Sequence, residues 1–261
     1  MGIFESQIII ALPCFVSCGI MSSIYRTLQD GEYMDCISLH SDMLRISELF
    51  EPCHTMAWPL LSRLTWPWEA LSDISGYIAE VGASLDMRDY KKIRDSVWIH
   101  KTASVAASAF IGDSVIIGAR TEVRHCAFIR GSALIGDGAV TGNSTELENV
   151  ILFDEVQAPH YNYIGDSILG YKSHMGAGSI TSNVKSDRSL VSVTCGDHRV
   201  DTGLKKFGAI IGDHVEIGCN TVLNPGCVVG THATVYPLSM VRGFVPPRGI
   251  YKRRGEIVEK R

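Results

Sequence analysis

Three side chains between residues 129 and 183 belong to types that carry out acid–base and anion-binding chemistry. A neutral imidazole such as that of His160 can take a proton from an attacking nucleophile. A carboxylate such as that of Glu146 can orient an imidazole ring and stabilise its charged form. The guanidinium of Arg130 offers a planar fork of donors to a phosphate. Each of the three can also be an ordinary surface residue, so their chemistry depends on the elements that position them.

A second group of candidates lies in the segment 182–210. Its basic side chains are Lys185, Arg188, His198, Arg199, Lys205 and Lys206. A loop of this charge suits a phosphate, and a loop that leaves a repetitive fold can cover a site on a neighbouring subunit. A solvated charged loop explains most of these residues equally well.

Composition excludes several classes of function. The net charge is −4, and no basic run precedes the last ten residues, so we expect no nucleic-acid partner. The eight cysteines are scattered without a C-x-x-C pair, which predicts reduced thiols in a cytoplasmic protein and no metal site. The chain also lacks a G-x-x-x-x-G-K-S/T loop for a nucleoside triphosphate.

The elements that must position the candidates follow from a repeat of six residues. Aliphatic or small residues recur at Ile99, Val105, Ile111, Ile117, Val123, Ile129, Ile135, Thr141 and Leu147, then, with two five-residue steps, at Leu152, Ala158, Ile164, Leu169, Met175 and Thr181, and finally at Ile211, Ile217, Leu223, Val229, Val235 and Val241. A period of six matches neither a helix nor a simple strand. It predicts a short strand and a turn in each repeat, stacked into coils with these ladder residues inside. We expect the glycine that often follows a ladder residue to supply the backbone geometry of the corner.

The repeat divides the chain into three parts. Residues 96–245 form the predicted β-solenoid, with the inserted loop 182–210, and residues 246–261 form a basic tail. Residues 1–95 form a partly helical region that we expect to cover the open first coil. Within it, apolar residues predict an amphipathic helix that begins near Pro67 and a shorter helix between Met43 and Phe50. The residues that define the longer helix are Leu71, Ile74, Ile78, Val81 and Leu85.

The apolar run from Ile8 to Ile24 is the one segment that suggests a membrane. It is short for a bilayer span and contains Pro13 and Gly19, so we expect no stable membrane insertion. A signal peptide is the less favoured alternative for this run, because the positively charged start of such a peptide is absent. We interpret it as a buried helix or strand, or as part of an upstream extension over residues 1–42 with an alternative start at Met43.

The motifs I-G-D-S-V-I and I-G-D-G-A-V resemble the hexapeptide-repeat acyltransferases, whose fold is a left-handed parallel β-helix that usually trimerises. The segment H-Y-N-Y-I-G-D-S-I-L-G-Y-K-S-H-M-G-A-G-S-I-T-S-N, residues 160–183, is similar to the acetyltransferase domain of the bifunctional glucosamine-1-phosphate acetyltransferase/N-acetylglucosamine-1-phosphate uridyltransferase. The chain shows no counterpart of the uridyltransferase domain. The resemblance implies a mainly β, homotrimeric enzyme. It would transfer an acetyl group from acetyl-CoA to an amino-sugar phosphate in UDP-N-acetylglucosamine and cell-envelope precursor synthesis.

The resemblance also implies roles for individual residues. It implies His160, Glu146 and Asn183 as catalytic residues, Arg130, Tyr163, His174 and Lys206 as substrate-binding residues, and Ala177, Cys219, Pro237 and Arg253 as acetyl-CoA-binding residues. Two positions depart from the family pattern. Glu148 replaces a phosphate-binding lysine and His174 replaces an asparagine. A carboxylate repels a phosphate, so an amino sugar other than glucosamine 1-phosphate is an open alternative.

Two further functions remain open at this point. Solenoids of this kind include the γ-type carbonic anhydrases, which need three histidines on one zinc ion, but the histidines here form no H-x-x-x-x-H pair. Other solenoids act as non-catalytic oligomerising scaffolds associated with nucleotidyltransferases. Binding and turnover of acetyl-CoA separate the scaffold from the enzyme.

Overall fold

The computed structural model describes residues 42–253 and 256–259, and most of this part is a parallel β-solenoid. Its first sheet contains β1 (Tyr90–Arg94), β2 (Val97–His100), β4 (Phe110–Ile117), β6 (Phe128–Ile135), β8 (Glu146–Leu152), β10 (Tyr163–Leu169), β12 (Ile180–Thr181), β15 (Ala209–Ile211), β17 (Val222–Leu223), β18 (Cys227–Val229), β20 (Met240–Val241) and β21 (Phe244–Val245). The second sheet contains β3 (Ser104–Val105), β5 (Glu122–Val123), β7 (Val140–Asn143), β9 (Gln157–His160), β11 (His174–Met175), β16 (Glu216–Ile217), β19 (Thr234–Val235), β22 (Gly249–Arg253) and β23 (Glu256–Glu259). The predicted mainly β solenoid is confirmed.

The ladder residues pair with one another from coil to coil. Ile117 pairs with Ile135, and Ile135 pairs with Leu152, all three with side chains at 0% exposure. Leu152 pairs in turn with Leu169, so the five-residue steps leave the register of the ladder unchanged. One continuous apolar core therefore runs through the stacked coils, and no single repeat could bury it alone.

The glycines after the ladder residues serve close packing, and our expectation that they turn the corners is wrong. A Cβ atom on Gly118 would lie 2.6 Å from the carbonyl carbon of Gly136 in the next coil. The left-handed backbone occurs three residues after a ladder residue, at Ser114 (φ 55°), Arg120 (φ 56°), Ser132 (φ 50°) and Gly138 (φ 63°). The corner residue is therefore most often one with a side chain, while the glycine directly after a ladder residue lets neighbouring coils approach.

The inserted loop 182–210 contains a separate antiparallel pair, β13 (Ser192–Cys195) and β14 (His198–Asp201). At the far end of the chain the solenoid continues past the predicted boundary at residue 245. There β22 pairs in parallel with β19, and β23 pairs antiparallel with β22. The six-residue pattern missed this coil because its ladder step from Val241 to Val245 shortens to four residues.

The amino-terminal region is helical in short pieces, namely α1 (Ile46–Leu49), α2 (Trp58–Leu61), α3 (Ile74–Ser84) and the 3₁₀ turns Pro52–His54 and Pro67–Ser72. The helix predicted from Pro67 is thus a 3₁₀ turn followed by α3. The Glu69 carboxylate accepts hydrogen bonds from the backbone N–H groups of Thr65 and Trp66, which fixes the 3₁₀ turn as a unit of its own.

This region lies along the side of the solenoid. Helix α3 packs against β4, β6 and β8, whose outward residues Ile116, Leu134 and Ile151 are buried. The Phe50 ring lies 4.8 Å from that of Phe153, centroid to centroid. Apolar residues on an outer face of the coils are therefore covered by residues 42–85. Covering of the open first coil by α3 stays a prediction.

The predictions for the Ile8–Ile24 run and for a start at Met43 concern residues outside those the structure describes, apart from Met43 itself. Within residues 42–253 and 256–259, no helix has both the length and the apolarity needed to cross a bilayer.

A buried carboxylate joins the amino-terminal region to the solenoid. Asp213 accepts hydrogen bonds from the backbone N–H of Glu51 at 2.6 Å and from that of Tyr171 at 2.7 Å. Its own N–H donates to the carbonyl of Leu49. Burial raises the pKa of the Asp213 carboxyl to about 6, against the opposing effect of the two N–H donors.

The unfolding free energy should depend on pH through Asp213. A carboxyl group whose pKa is higher in the folded state binds its proton more tightly there. Its contribution to the unfolding free energy is therefore present at low pH and lost as the pH rises from 3.8 to about 6. The loss should reach up to about 3 kcal/mol. Urea unfolding at several pH values should show this limb in the wild type and not in Asp213→Asn. An identical pH dependence of the two proteins would contradict the assignment.

Candidate functional site

His160 belongs to a column of residues that stack in successive coils at one corner of the solenoid. The carbonyl of His160 accepts a hydrogen bond from the N–H of Gly178, the residue after Ala177, at 3.0 Å. In the same way the Ala177 carbonyl accepts from the residue after Cys219, and the Cys219 carbonyl from the residue after Pro237. Three of the four predicted acetyl-CoA-binding positions therefore follow His160 one coil at a time. We call His160, Ala177, Cys219 and Pro237 the His160 column.

The His160 side chain itself is exposed. Within the described part of the chain its imidazole forms no hydrogen bond, while its backbone N–H donates to the Asn162 side chain at 3.2 Å. Tyr161 turns the corner with φ 51°, and Tyr163 begins the next strand. The column and the face that carries Tyr163 therefore meet at one corner.

On that face lies a cluster of charged residues, Arg130, Glu146, Glu148 and Lys206, which we call the charge cluster. Arg130 Nη1 donates to Glu146 Oε1 at 3.0 Å and to Glu148 Oε2 at 2.8 Å. Lys206 Nζ lies 3.6 Å from Glu148 Oε1. Tyr163, which pairs with Glu146 in the sheet, donates from its hydroxyl to Glu148 Oε2 at 3.5 Å.

The charges of the cluster act on one another. Hydrogen bonding to Glu146, and then the charge of Glu148, raise the pKa of Arg130. Burial, and then the carboxylates of Glu148, Asp166 and Glu146, raise the pKa of the Tyr163 hydroxyl. Tyr163 is therefore a neutral hydrogen-bond donor at physiological pH.

Asn183 lies behind the cluster in a buried hydrogen-bond network of two amides, Asn183 and Asn149, and the carboxylate of Asp166. It is 9% exposed, and its Nδ2 donates to Asp166 Oδ2 at 2.6 Å. Asp166 Oδ1 accepts from Asn149 Nδ2 at 2.9 Å, and the same amide donates to the carbonyl of Leu71 in the amino-terminal region. The Asn183 carbonyl also accepts from the N–H of Phe207, which fixes the end of the inserted loop beside Lys206.

The structure thus brings together Arg130, Glu146, Tyr163 and Lys206, with Asn183 behind them. It does not bring Glu146 into contact with the His160 ring, because the Glu146 carboxylate accepts from Arg130 instead. The predicted pairing of Glu146 with His160 stays a prediction.

Two other predicted site residues have partners away from the charge cluster. His174 Nδ1 lies 2.9 Å from Glu216 Oε2 on the second sheet. Arg253 is the last residue of β22, which pairs with β19, the strand just before Pro237, and its Nε donates to Glu256 Oε2 at 2.6 Å. Their roles toward substrate and acetyl-CoA also stay predictions.

Sequence reasoning missed Asp166 and Asn149. Asp166 occurs in an I-G-D segment like that of Asp113, and nothing local separates the two. Yet Asp166 is 6% exposed, whereas the Asp113 side chain is 81% exposed. The difference arises from the amino-terminal region and the inserted loop, which cover Asp166 and not Asp113.

Histidine, cysteine, aspartate and glutamate side chains form no group of three or more that could hold a metal ion in the residues that the structure describes. The rings of His214 and His232 are stacked with centroids 4.7 Å apart.

Stacked parallel coils with one inward residue in every six define the class of this protein, a hexapeptide-repeat β-solenoid. Over 91 residues the chain is 34% identical to the bifunctional sugar-1-phosphate nucleotidylyltransferase/acetyltransferase of Sulfurisphaera tokodaii, a match that covers 35% of this chain and 23% of the relative. Over 171 residues it is 30% identical to the bifunctional protein GlmU of Staphylococcus epidermidis, covering 66% of this chain and 34% of the relative. The resemblance to these bifunctional proteins, stated from the motifs, is confirmed.

The chain spans about a quarter to a third of the length of these curated relatives. Among solved structures it is similar to a hexapeptide transferase family protein of Anaplasma phagocytophilum, with 17% identity, coverage of 63% of this chain and 80% of that one, and a TM-score of 0.37. No family model matches the chain.

Proposed function

We propose that this protein is an acyltransferase that transfers an acetyl group from acetyl-CoA to the amine of an amino sugar. The His160 column is the observation that carries the proposal. A long, thin ligand such as the pantetheine arm of coenzyme A can lie along Ala177, Cys219 and Pro237 with its thioester next to His160. Arg253, in the following coil, then meets the phosphates of the nucleotide end.

The chemistry requires one proton acceptor. The neutral amine of the sugar attacks the thioester carbonyl, a C–N bond forms, and the imidazole of His160 takes the proton from nitrogen. The C–S bond then breaks, and the proton passes from the imidazolium to the leaving thiolate. A backbone N–H near Ala177 stabilises the oxyanion of the tetrahedral intermediate.

The acceptor lies on the face that carries Tyr163 and the charge cluster, because this face and the His160 column meet at one corner. The sequence resemblance favours glucosamine 1-phosphate or a close relative in UDP-N-acetylglucosamine synthesis. The name of the Sulfurisphaera tokodaii relative supports a sugar phosphate. We also propose that the enzyme is a homotrimer and acts in the cytoplasm.

Release of free thiol from acetyl-CoA in the presence of a panel of amino sugars tests the proposal. A tryptophan at Ala177 should obstruct the column and raise the KM for acetyl-CoA by about 10- to 100-fold, since small displacements of a bound substrate are costly. Ala107 is the matched control. It follows ladder residue Val105 as Ala177 follows Met175, and it lies on the opposite side of His160 from the proposed acetyl-CoA site.

Ala107→Trp should leave the KM unchanged. Absence of both thiol release and acetyl-CoA binding in the wild type would contradict the proposed function and favour the non-catalytic scaffold. Equal KM values for Ala177→Trp and Ala107→Trp would contradict the placement of acetyl-CoA along the column.

A further inference from the structure

Glu148 is the centre of the charge cluster. Its Oε2 accepts hydrogen bonds from Arg130 Nη1 at 2.8 Å and from the Tyr163 hydroxyl at 3.5 Å. Its Oε1 lies 3.6 Å from Lys206 Nζ. Its side chain is 22% exposed, whereas those of Arg130 and Lys206 are 43% and 55% exposed. Both cations therefore form ion pairs with the half-buried carboxylate of Glu148.

The charges of this cluster cancel. Arg130 and Lys206 supply two positive charges, and Glu146 and Glu148 supply two negative charges. Arg130 Nη1 already donates to both carboxylates. A phosphate that took the place of Glu148 on both cations would still lie close to two carboxylates, with which it would interact repulsively. The Nε and Nη2 donors of Arg130 have no partner among the described residues, but an anion bound there would lie beside the same two carboxylates.

We infer that Glu148 is a specificity-determining residue that takes the place of an acceptor phosphate, so that the acceptor is an amino sugar with no phosphate at the charge cluster. This inference rests on the proposed acyl transfer. It differs from the expectation of glucosamine 1-phosphate, because here the protein supplies the anion that its own cations require.

The same groups suit the hydroxyls of an unphosphorylated sugar. A carboxylate oxygen has more than one lone pair, so Glu146 and Glu148 can each accept a hydrogen bond from a sugar hydroxyl while they keep their bonds to Arg130. Tyr163 can exchange its long 3.5 Å hydrogen bond to Glu148 for one to a ring or hydroxyl oxygen of the sugar, because burial, and then the carboxylates around it, disfavour its ionisation. The cluster thus provides a preformed polar surface for a neutral sugar.

The test compares two acceptors that differ by one phosphate, glucosamine and glucosamine 1-phosphate, in the thiol-release assay. The wild type should show a kcat/KM for glucosamine about tenfold or more above that for its 1-phosphate. Glu148→Gln, which removes the charge and keeps the shape, should reduce this preference. Glu148→Lys should reverse it, because three cations then face one carboxylate.

Glu122 provides the matched control. It is also a carboxylate paired with an arginine, with Arg124 Nη2 at 2.9 Å, but it lies on the second sheet. Glu122→Gln and Glu122→Lys should leave the acceptor preference at the wild-type value. This control separates a local effect of Glu148 from a change in the net charge of the protein.

A second measurement needs no turnover. Binding of inorganic phosphate, followed by titration calorimetry, should be undetectable at low millimolar concentration in the wild type and detectable in Glu148→Lys. If the wild type binds phosphate as well as Glu148→Lys does, or prefers glucosamine 1-phosphate in the assay, the inference is wrong while the proposed acyl transfer stands. If no amino sugar releases thiol, the proposed function is wrong. The phosphate titration then still shows whether Glu148 excludes an anion.

Discussion

Replacement of His160 by alanine should lower kcat by roughly 10²- to 10⁴-fold, which is the usual contribution of a positioned proton acceptor. Binding of acetyl-CoA should stay nearly unchanged, because the proposed contacts of the cofactor lie further along the column. The His160 side chain is exposed and forms no hydrogen bond within the described residues. Its removal therefore leaves no buried partner unsatisfied, and a loss of rate would report on chemistry and not on folding.

The measurements are kcat from thiol release and the dissociation constant of acetyl-CoA from calorimetry. In the wild type the pH profile of kcat/KM should have an acidic limb, because protonation of the imidazole removes the base. That limb should vanish in His160→Ala. His125 is the matched control, since it is exposed and follows ladder residue Val123 as His160 follows Ala158. Wild-type turnover by His160→Ala, or an equal loss in His125→Ala, would refute the assignment.

The solenoid could be predicted from the sequence because its stabilising contacts repeat. One inward residue in each segment meets the same residue of the next coil, so the packing of the core appears as a period along the chain. Even the shortened steps kept the pattern, as the pairing of Leu152 with Ile135 demonstrates. The corners were assigned to the wrong residues. A glycine after a ladder residue looks the same in the sequence whether it turns the chain or admits a neighbouring backbone, and Gly118 does the second.

The side of the solenoid could not be predicted in this way. The burial of Ile116 depends on α3, and the burial of Asp166 depends on the inserted loop and on Leu71. These contacts join parts of the chain that share no period. The local pattern therefore predicts the coils, but it does not predict which segments of the chain cover their outer face.

The candidate site was predictable in part for the same reason. His160, Ala177 and Cys219 each keep the same offset of two residues from a ladder residue. They could therefore be placed on one line from the ladder and the resemblance together. The pairing of polar side chains does not repeat along the sequence in this way. The contact of Glu146 with Arg130, and the central place of Glu148 between two cations, depend on rotamers and on the end of the inserted loop. The sequence identified Glu148 as a departure, and the structure identifies its partners.

Substitution of Ile135 by aspartate should prevent folding. The Ile135 side chain is at 0% exposure, between ladder residues Ile117 and Leu152 in the coils before and after it. An aspartate there would place an unpaired carboxylate in the apolar interior, at a cost of at least several kcal/mol, similar to the whole stability of a typical domain, about 5 to 15 kcal/mol. Circular dichroism should show loss of the β signal, or the protein should be insoluble.

A milder variant and an exposed control keep this prediction testable when Ile135→Asp yields no protein. Ile135→Ala removes the same contacts without adding a charge and should lower the unfolding free energy by about 2 to 5 kcal/mol. Phe110→Asp places the same carboxylate at a side chain that is 56% exposed on the first sheet, and it should fold. The buried hydroxyl of Thr141 has no hydrogen-bond partner among the described residues, so the ladder tolerates a small neutral polar group. The aspartate differs from this threonine by its charge, so a folded Ile135→Asp of wild-type stability would mean that position 135 does not face the core.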